Sequence, residues 1–374
     1  MRKVTVALVD RANYGRLKPL MQQIDAHPRL QLSILATGSL VLDRFGSVAD
    51  LVGRDFPKAS MARRWCSLEG STLATQAASI GLAINATVSA LAELRPDLVV
   101  VIGDRHETLG VAIAAAQTHR TLLHLQGGEY SGSLDNSARW AITKLAHYHV
   151  PATEQAQSEL IDSGEHPEHI LATGCPSADV LAGVRVRRSD RVLSIFHPDT
   201  AQPFSAARHV REMLTALLTL NREVDLLWPN IDAGSGAVHK EIRRFRDAPG
   251  RRWLHLHTNF QGEEFYAHLG CCALAVGNSS SFVRDTAALG TPVCLVGRRQ
   301  QGRERGQNVR FAHPTARSIE RICRLQLEHG PYTPSYLYGH PGVSRQVAER
   351  IETLKPLSLK TYAPARGELE VAGG

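Results

Sequence analysis

The sequence predicts an α/β protein made of two doubly wound units with a cleft between them, and three observations carry that prediction. Short, nearly continuous apolar runs rich in β-branched residues alternate with helix-length segments, the pattern of strands buried on both faces of a parallel sheet. The alternation occurs twice, on either side of a polar, Arg-rich stretch at 184–191. A chain of 374 residues also holds about two domains at roughly 150 residues each.

In the first unit the predicted strands are 4–9 (VTVALV), 31–36 (QLSILA), 98–102 (LVVVI) and 121–125 (TLLHL). Between them Leu73, Ala77, Ile80, Ile84, Val88 and Leu91 recur at steps of three and four, the stripe of an amphipathic helix, and Pro96 closes that segment. The stretch 184–191 reads as the linker. In the second unit the predicted strands are 192–196, 224–228, 253–257, 273–276 and 293–296. A helix over 347–354 leads into a Pro- and Gly-containing end expected to fray.

Composition narrows the function classes. With 43% hydrophobic and 21% charged residues the chain is neither disordered, collagenous nor a coiled coil. The formal charge of +7 comes from basic residues scattered among acids, without a dense basic run interleaved with aromatics. A small anion is therefore the expected partner, not nucleic acid. Six cysteines with no CxxC pair imply a reducing cytoplasm and no structural zinc. The N-terminal apolar run is too short for a signal peptide, and no segment approaches the ~20 apolar residues of a membrane span, so cytoplasmic localisation and no membrane partner are expected.

The chemistry is expected at the strand ends, because ligands of open parallel sheets bind outside the carboxyl ends of the strands. Six polar clusters fall there: 10–16, 103–107 and 126–129 in the first unit, and 197–199, 228–232 and 277–281 in the second. The Gly/Ser turn at 277–281 opens a helix and offers free N–H groups and a positive dipole end to a phosphate, or it is an ordinary Ser N-cap. Arg298, Arg299, Arg303 and Arg305 follow the next strand and can close on the same anion. Asp104, Glu107, Glu129 and Asp135 place carboxylates at one mouth, where differing environments can separate a base from an acid. Alternatively, Glu107 and one of the others pair with Arg105 or Arg139. Gly127 and Gly128 allow close backbone approach beside Glu129. His197 is placed to bind a phosphate or move a proton. The alternating pairs His147/His149 and His255/His257 lack an evident carboxylate partner and read as packing, so no metal is assigned.

Together these motifs resemble the hydrolysing UDP-N-acetylglucosamine 2-epimerases, including the epimerase half of the bifunctional enzyme of sialic acid synthesis. The similar stretches are 11–14 (RANY), 103–105 (GDR), 126–135 (QGGEYSGSLD), 141–150, 174–177 (GCPS), 229–235 (PNIDAGS), 277–280 (GNSS) and 299–304, in family order. The resemblance implies a GT-B-like fold of two Rossmann-like domains: 1–183 with the catalytic carboxylates, 192–342 binding the nucleotide, and 343–374 packing back on the first. It implies a nucleotide-sugar substrate, no cofactor, and a homodimer or dimer of dimers. Carried over residue by residue, Asp104, Glu129, Asp135 and His197 are catalytic, and Arg11, Arg105, Asn230, Ser279, Ser280, Asp285 and Arg299 bind substrate. Asn13, Asn136 and Trp140 depart from the family pattern. So do Phe282, where a Gly is frequent, and Asp285, where a Glu is expected on the ribose. Phe282 and Asp285 are expected near the nucleotide, where they would shift base or sugar preference.

Overall fold

The structure, a computed structural model, describes residues 1–43, 46, 48–68, 70–260, 263–357 and 359–363. The final part of the tail expected to fray, 364–374, lies outside the described residues. The first half runs β1 (Arg2–Leu8), α1 (Arg11–Ala26), β2 (Leu30–Ala36), α2 (Val48–Asp55), β3 (Ser60–Arg63), α3 (Leu73–Leu94), β4 (Leu98–Ile102), α4 (His106–Gln117), β5 (Thr121–Leu125), α5 (Asp135–Leu145), β6 (Tyr148–Val150), α6 (Glu154–Asp162) and α7 (Ser177–Leu181). The second runs β7 (Val192–Ile195), α8 (Ala206–Leu218), β8 (Val224–Leu227), α9 (Ser235–Arg246), β9 (Leu254–His257), α10 (Glu264–Cys271), β10 (Leu274–Gly277), α11 (Ser281–Leu289), β11 (Val293–Val296), β12 (Val309–Ala312), α12 (Ala316–His329) and α13 (Val343–Thr353).

Each half forms a six-stranded parallel sheet, in the orders β3-β2-β1-β4-β5-β6 and β9-β8-β7-β10-β11-β12. The two orders are the same winding, repeated. In each, the chain reverses direction beside the first strand, so β1 adjoins β4 (Val4 opposite Leu98) and β7 adjoins β10 (Val192 opposite Leu274). Those reversals open the crevices in which such sheets hold ligands. Continuous burial of β4, β5 and β7 explains why they read as unbroken apolar runs.

Three strands escape the sequence reading: β3, β6 and β12. All are sheet edges of four residues or fewer, and β3 and β12 carry exposed polar positions, so neither length nor pattern marks them. The absence of any span-like segment also needs correcting. The 22-residue α3, which contains an 18-residue stretch of mean hydropathy 1.4, is by length and composition long and apolar enough to cross a membrane. Here it lies along α4 instead, burying Ser79, Ala83, Thr87, Ala90 and Leu91. Thr75, Gln76, Ser79, Asn85 and Thr87 interrupt its apolar positions and made the run look short.

The last helix, α13, starts at Val343, four residues before its predicted start at 347, after Gly342 at φ +107°. Val343, Val347 and Ile351 enter the core of the first half beside Leu17, Leu20 and Ile24 of α1. Full burial of Val347 and Ile351 contributes roughly 1.5–3 kcal/mol each. Within the linker, Arg188 is tied down, donating to the Gly270 carbonyl (2.8 Å), the Leu289 carbonyl (2.6 Å) and the Thr291 hydroxyl (2.8 Å). A cation there meets the carbonyl ends of α10 and α11. All six cysteines are free thiols.

Candidate active site

The loops after β1, β4 and β5 face those after β7, β8 and β10, and two adjoining cavities lie between them. The larger, about 750 Å³, has an aromatic wall of Tyr14, Phe260, Phe265 and Tyr266, with Arg11 beside it. The second, about 610 Å³, is polar and holds Asp104, Glu129 and Asp135. His197, Asn230, Ser279 and Arg16 line both, so they form the seam.

Backbone geometry sets the carboxylates. Gly128, at φ +78°, precedes Glu129 and passes so close to α6 that a Cβ would stand 2.2 Å from the Ala156 carbonyl oxygen. Only glycine fits there. Asp104 follows Gly103, whose carbonyl is held by His124 Nε2 at 2.8 Å. Asp135 opens α5, where a carboxylate suits the positive helix end. Each carboxylate has an arginine: Asp104 pairs with Arg139, Glu129 with Arg303, and Asp135 with Arg299 at 3.4 Å. Glu129 keeps Oε1 buried without a hydrogen bond. Burial pushes the Asp135 carboxyl up, against the pull of Arg299.

The seam is built for an anion. Gly277, at φ +145°, lets β10 end against β7, since a Cβ would meet the Ile195 carbonyl oxygen at 1.9 Å. Asn278 then clasps His197 on both sides, accepting from its N–H (2.7 Å) and donating to its carbonyl (2.8 Å). No side chain caps α11: Ser280 at its N-cap instead accepts from Arg284 at 3.1 Å. The first N–H groups of α11 are taken up within the turn, Ser281 by the Ser279 hydroxyl (3.4 Å), Phe282 by the Ser279 carbonyl (3.2 Å) and Val283 by the Ser280 carbonyl (3.1 Å), so what the turn offers the polar cavity is the lining Ser279 and Ser280 and the positive end of the helix. Burial, then Arg299, brings His197 down to about 3, so its ring is neutral at physiological pH. Its Nδ1 faces the Asn230 N–H at 3.4 Å, which leaves the proton on Nε2, a hydrogen-bond donor. Arg299 also reaches the Asn278 carbonyl at 3.3 Å. Arg11 bonds the Trp228 and Thr258 carbonyls across the cleft, and burial lowers its guanidinium to about 10.

Other expected residues stand differently. Arg105 lines the polar cavity but is claimed by Glu107 (3.1 Å), Asp232 and Asp10 (3.8 Å). Burial opposes its charge, yet those three carboxylates outweigh it and raise the guanidinium further. Glu107 is accordingly an ion-pair partner. Asp285 lines neither cavity; its Oδ1 accepts from Ser177 at 2.9 Å, because the one-carbon-shorter side chain ends inside the α7–α11 contact. Phe282 lines neither cavity: it is fully buried in the core directly behind the aromatic cavity, with Ile195 and Tyr266, which line it, since the first turn of α11 turns that position inward. The paired histidines do have carboxylate partners: Glu165 for His149 (2.9 Å), Glu223 for His255, and Asp225 for His257 (2.8 Å). Spacing along a strand could not reveal partners on neighbouring segments. Sequence reasoning assigned no role to Arg16, Gln126, Arg284 or the aromatic wall; Arg16, Tyr14 and Gln126 carried a signal, as parts of strand-end clusters.

The chain matches the UDP-N-acetylglucosamine 2-epimerase family over residues 22–352. It is 28% identical over 325 residues to the UDP-N-acetylglucosamine 2-epimerase of Neisseria meningitidis serogroup B, covering 83% of each chain. It is 29% identical over 369 residues to the hydrolysing UDP-N,N'-diacetylbacillosamine 2-epimerase of Legionella pneumophila, covering 95% of this chain and 96% of that one. The crystal structure of the Neisseria meningitidis UDP-GlcNAc 2-epimerase bound to UDP-GlcNAc superposes with a TM-score of 0.75 at 15% identity, over 94% of this chain and 99% of that one, which establishes the shared GT-B-like fold.

Proposed function

Because the chain belongs to the UDP-N-acetylglucosamine 2-epimerase family, we propose that it is a hydrolysing 2-epimerase of UDP-linked 2-acetamido sugars, with UDP-N-acetylglucosamine as parent substrate and N-acetylmannosamine and UDP as products. The observation that carries this reading is the gathering of Asp104, Glu129 and Asp135 round one cavity that opens onto an aromatic pocket fit for a base and ribose.

Glu129, through its free Oε1, takes the C2 proton. The C–H electron pair becomes the C1–C2 double bond, and the C1–O bond breaks with its pair going to UDP, leaving a 2-acetamidoglucal. The hydroxyls of Ser279 and Ser280, the positive end of α11 and the Nε2–H of neutral His197 receive the charge growing on the diphosphate. Water then gives its hydroxyl to C1, its other proton passing to Asp104, while Asp135 delivers a proton to C2 from the opposite face. Exchange with solvent restores all three carboxyls. Burial raises the proton affinity of Asp135, which suits the acid role. Six free thiols support a reducing, cytoplasmic setting.

Proton NMR in deuterated water with UDP-N-acetylglucosamine tests the proposal. N-acetylmannosamine deuterated at C2, with one UDP per sugar, is the expected result. A bound but unchanged nucleotide sugar, its C2 proton retained, would point to a sensor rather than an enzyme. A second reading, the same reaction on a 2,4-diacetamido sugar, is favoured by the near full-length likeness to the Legionella protein and is read by the same spectrum.

A further inference from the structure

On the wall of the polar cavity two arginines share one neutral acceptor. Arg16 Nη1 (2.9 Å) and Arg284 Nη1 (3.2 Å) both donate to Oε1 of Gln126. Gln126 is locked for this: its Nε2 donates to the Cys175 sulfur at 2.9 Å and its N–H to the Val150 carbonyl at 2.8 Å. Its φ of +65° is a conformation that a non-glycine residue keeps only when its surroundings impose it. Arg16 is 9% and Arg284 3% exposed.

The other cavity arginines each have a carboxylate: Arg139 has Asp104, Arg303 has Glu129, Arg299 has Asp135, and Arg105 has Asp232. Among the described residues no carboxylate lies within 4.0 Å of Arg16, and Arg284 meets only Asp285, 4.0 Å from its Nε and outside the cavity lining. Burial, then repulsion from Arg284, pulls the Arg16 guanidinium below its ordinary value, whereas for Arg284 burial is outweighed by Asp285, then Cys175 and Glu129, which raise it. Two buried cations on one amide oxygen are completed by an anion.

We propose that Arg16 and Arg284 form a carboxylate-recognising subsite, so that the sugar this protein prefers carries its own carboxylate, as a hexuronate does. The proposal rests on reading the cavity as the sugar side of a 2-epimerase site. Two guanidinium forks suit a planar carboxylate, whereas a neutral hydroxymethyl group leaves the cavity-facing Nη1 groups of both with Gln126, beside the bonds of Arg16 to the Ala12 carbonyl and of Arg284 to Ser280. Arg16 lines both cavities at the seam, but Gln126 and Arg284 line the cavity of the three carboxylates and not the aromatic one, which sets the subsite on the sugar side of the seam.

The test is calorimetric titration and C2 exchange with UDP-N-acetylglucosamine, its C6-oxidised counterpart UDP-N-acetylglucosaminuronate, and UDP, on the full chain. The uronate is expected to bind about 10- to 100-fold more tightly than the neutral sugar. Arg284→Met, checked for folding by its melting curve, is expected to erase most of that preference while UDP affinity stays within about threefold. Equal or weaker binding of the uronate by the unaltered protein overturns the proposal without any variant. Equal losses of UDP and uronate affinity in Arg284→Met overturn it too, assigning the arginine to the diphosphate. If the uronate is preferred but neither sugar exchanges its C2 proton, the subsite stands and the epimerase reading falls.

Discussion

Burial acts on Asp135 and His197 in the same sense, disfavouring charge on each, and their chemistry follows from it. Asp135 is held protonated further up the pH scale than an ordinary carboxyl. If it is the acid, turnover falls as pH rises through that raised value, above the usual ~3.9. A kcat profile that climbs over this interval would sink the assignment. His197, down at about 3, stays neutral at physiological pH, so no limb between pH 5 and 8 belongs to it. Replacing Glu129 by Gln keeps the shape but removes the proposed base, so turnover is expected to drop by about 10²–10⁴. UDP affinity, measured by titration, should shift less than about tenfold. These carboxylates were legible because they follow apolar runs at strand ends. Arg284 was not, since a helical arginine looks the same in a sequence whether it faces solvent or a buried cavity, and Arg16 stood out only as one member of the strand-end cluster 10–16.

At the scale of elements, tight backbone crossings decide where the reactive groups stand. Gly128→Ala places a Cβ 2.2 Å from the Ala156 carbonyl oxygen at φ +78°. The strain is expected to cost about 1–3 kcal/mol and to move Glu129 with it. A melting curve and a turnover assay should therefore fall together; a variant melting like the unaltered protein would show that the crossing relaxes freely. The interior strands announced themselves as continuous apolar runs, whereas β3, β6 and β12 are edges that pairing alone defines. The direction of Phe282 into the core was likewise hidden, because a Gly/Ser turn states that α11 begins but not which way its first turn faces.

Across the whole molecule the halves are latched by Arg105 of the first on Asp232 of the second. Burial opposes ionisation of Asp232, but Arg105 and then Arg299 outweigh it and hold the carboxyl well below its ordinary value. A depressed folded value means that the stabilisation is present above the unfolded ~3.9 and is lost as pH falls through the folded value. The melting temperature of Asp232→Asn is thus expected to lie below that of the unaltered protein at neutral pH, the gap narrowing below about pH 4. A gap independent of pH would show that the latch is steric.

By itself the sequence determined the two parallel sheets and the strand-end position of the polar clusters that line the cavities, and the family resemblance singled out Asp104, Glu129 and Asp135 among the carboxylates there. Each depends on local periodicity or on a short motif, which a linear chain displays directly. Only the tertiary structure decided which arginine each carboxylate meets, that Arg105 is spent on holding the halves together, and that Arg16 and Arg284 converge on Gln126. Those are contacts between residues more than a hundred positions apart in several cases, such as Gln126 and Arg284, and they come into being only when the sheets close on each other.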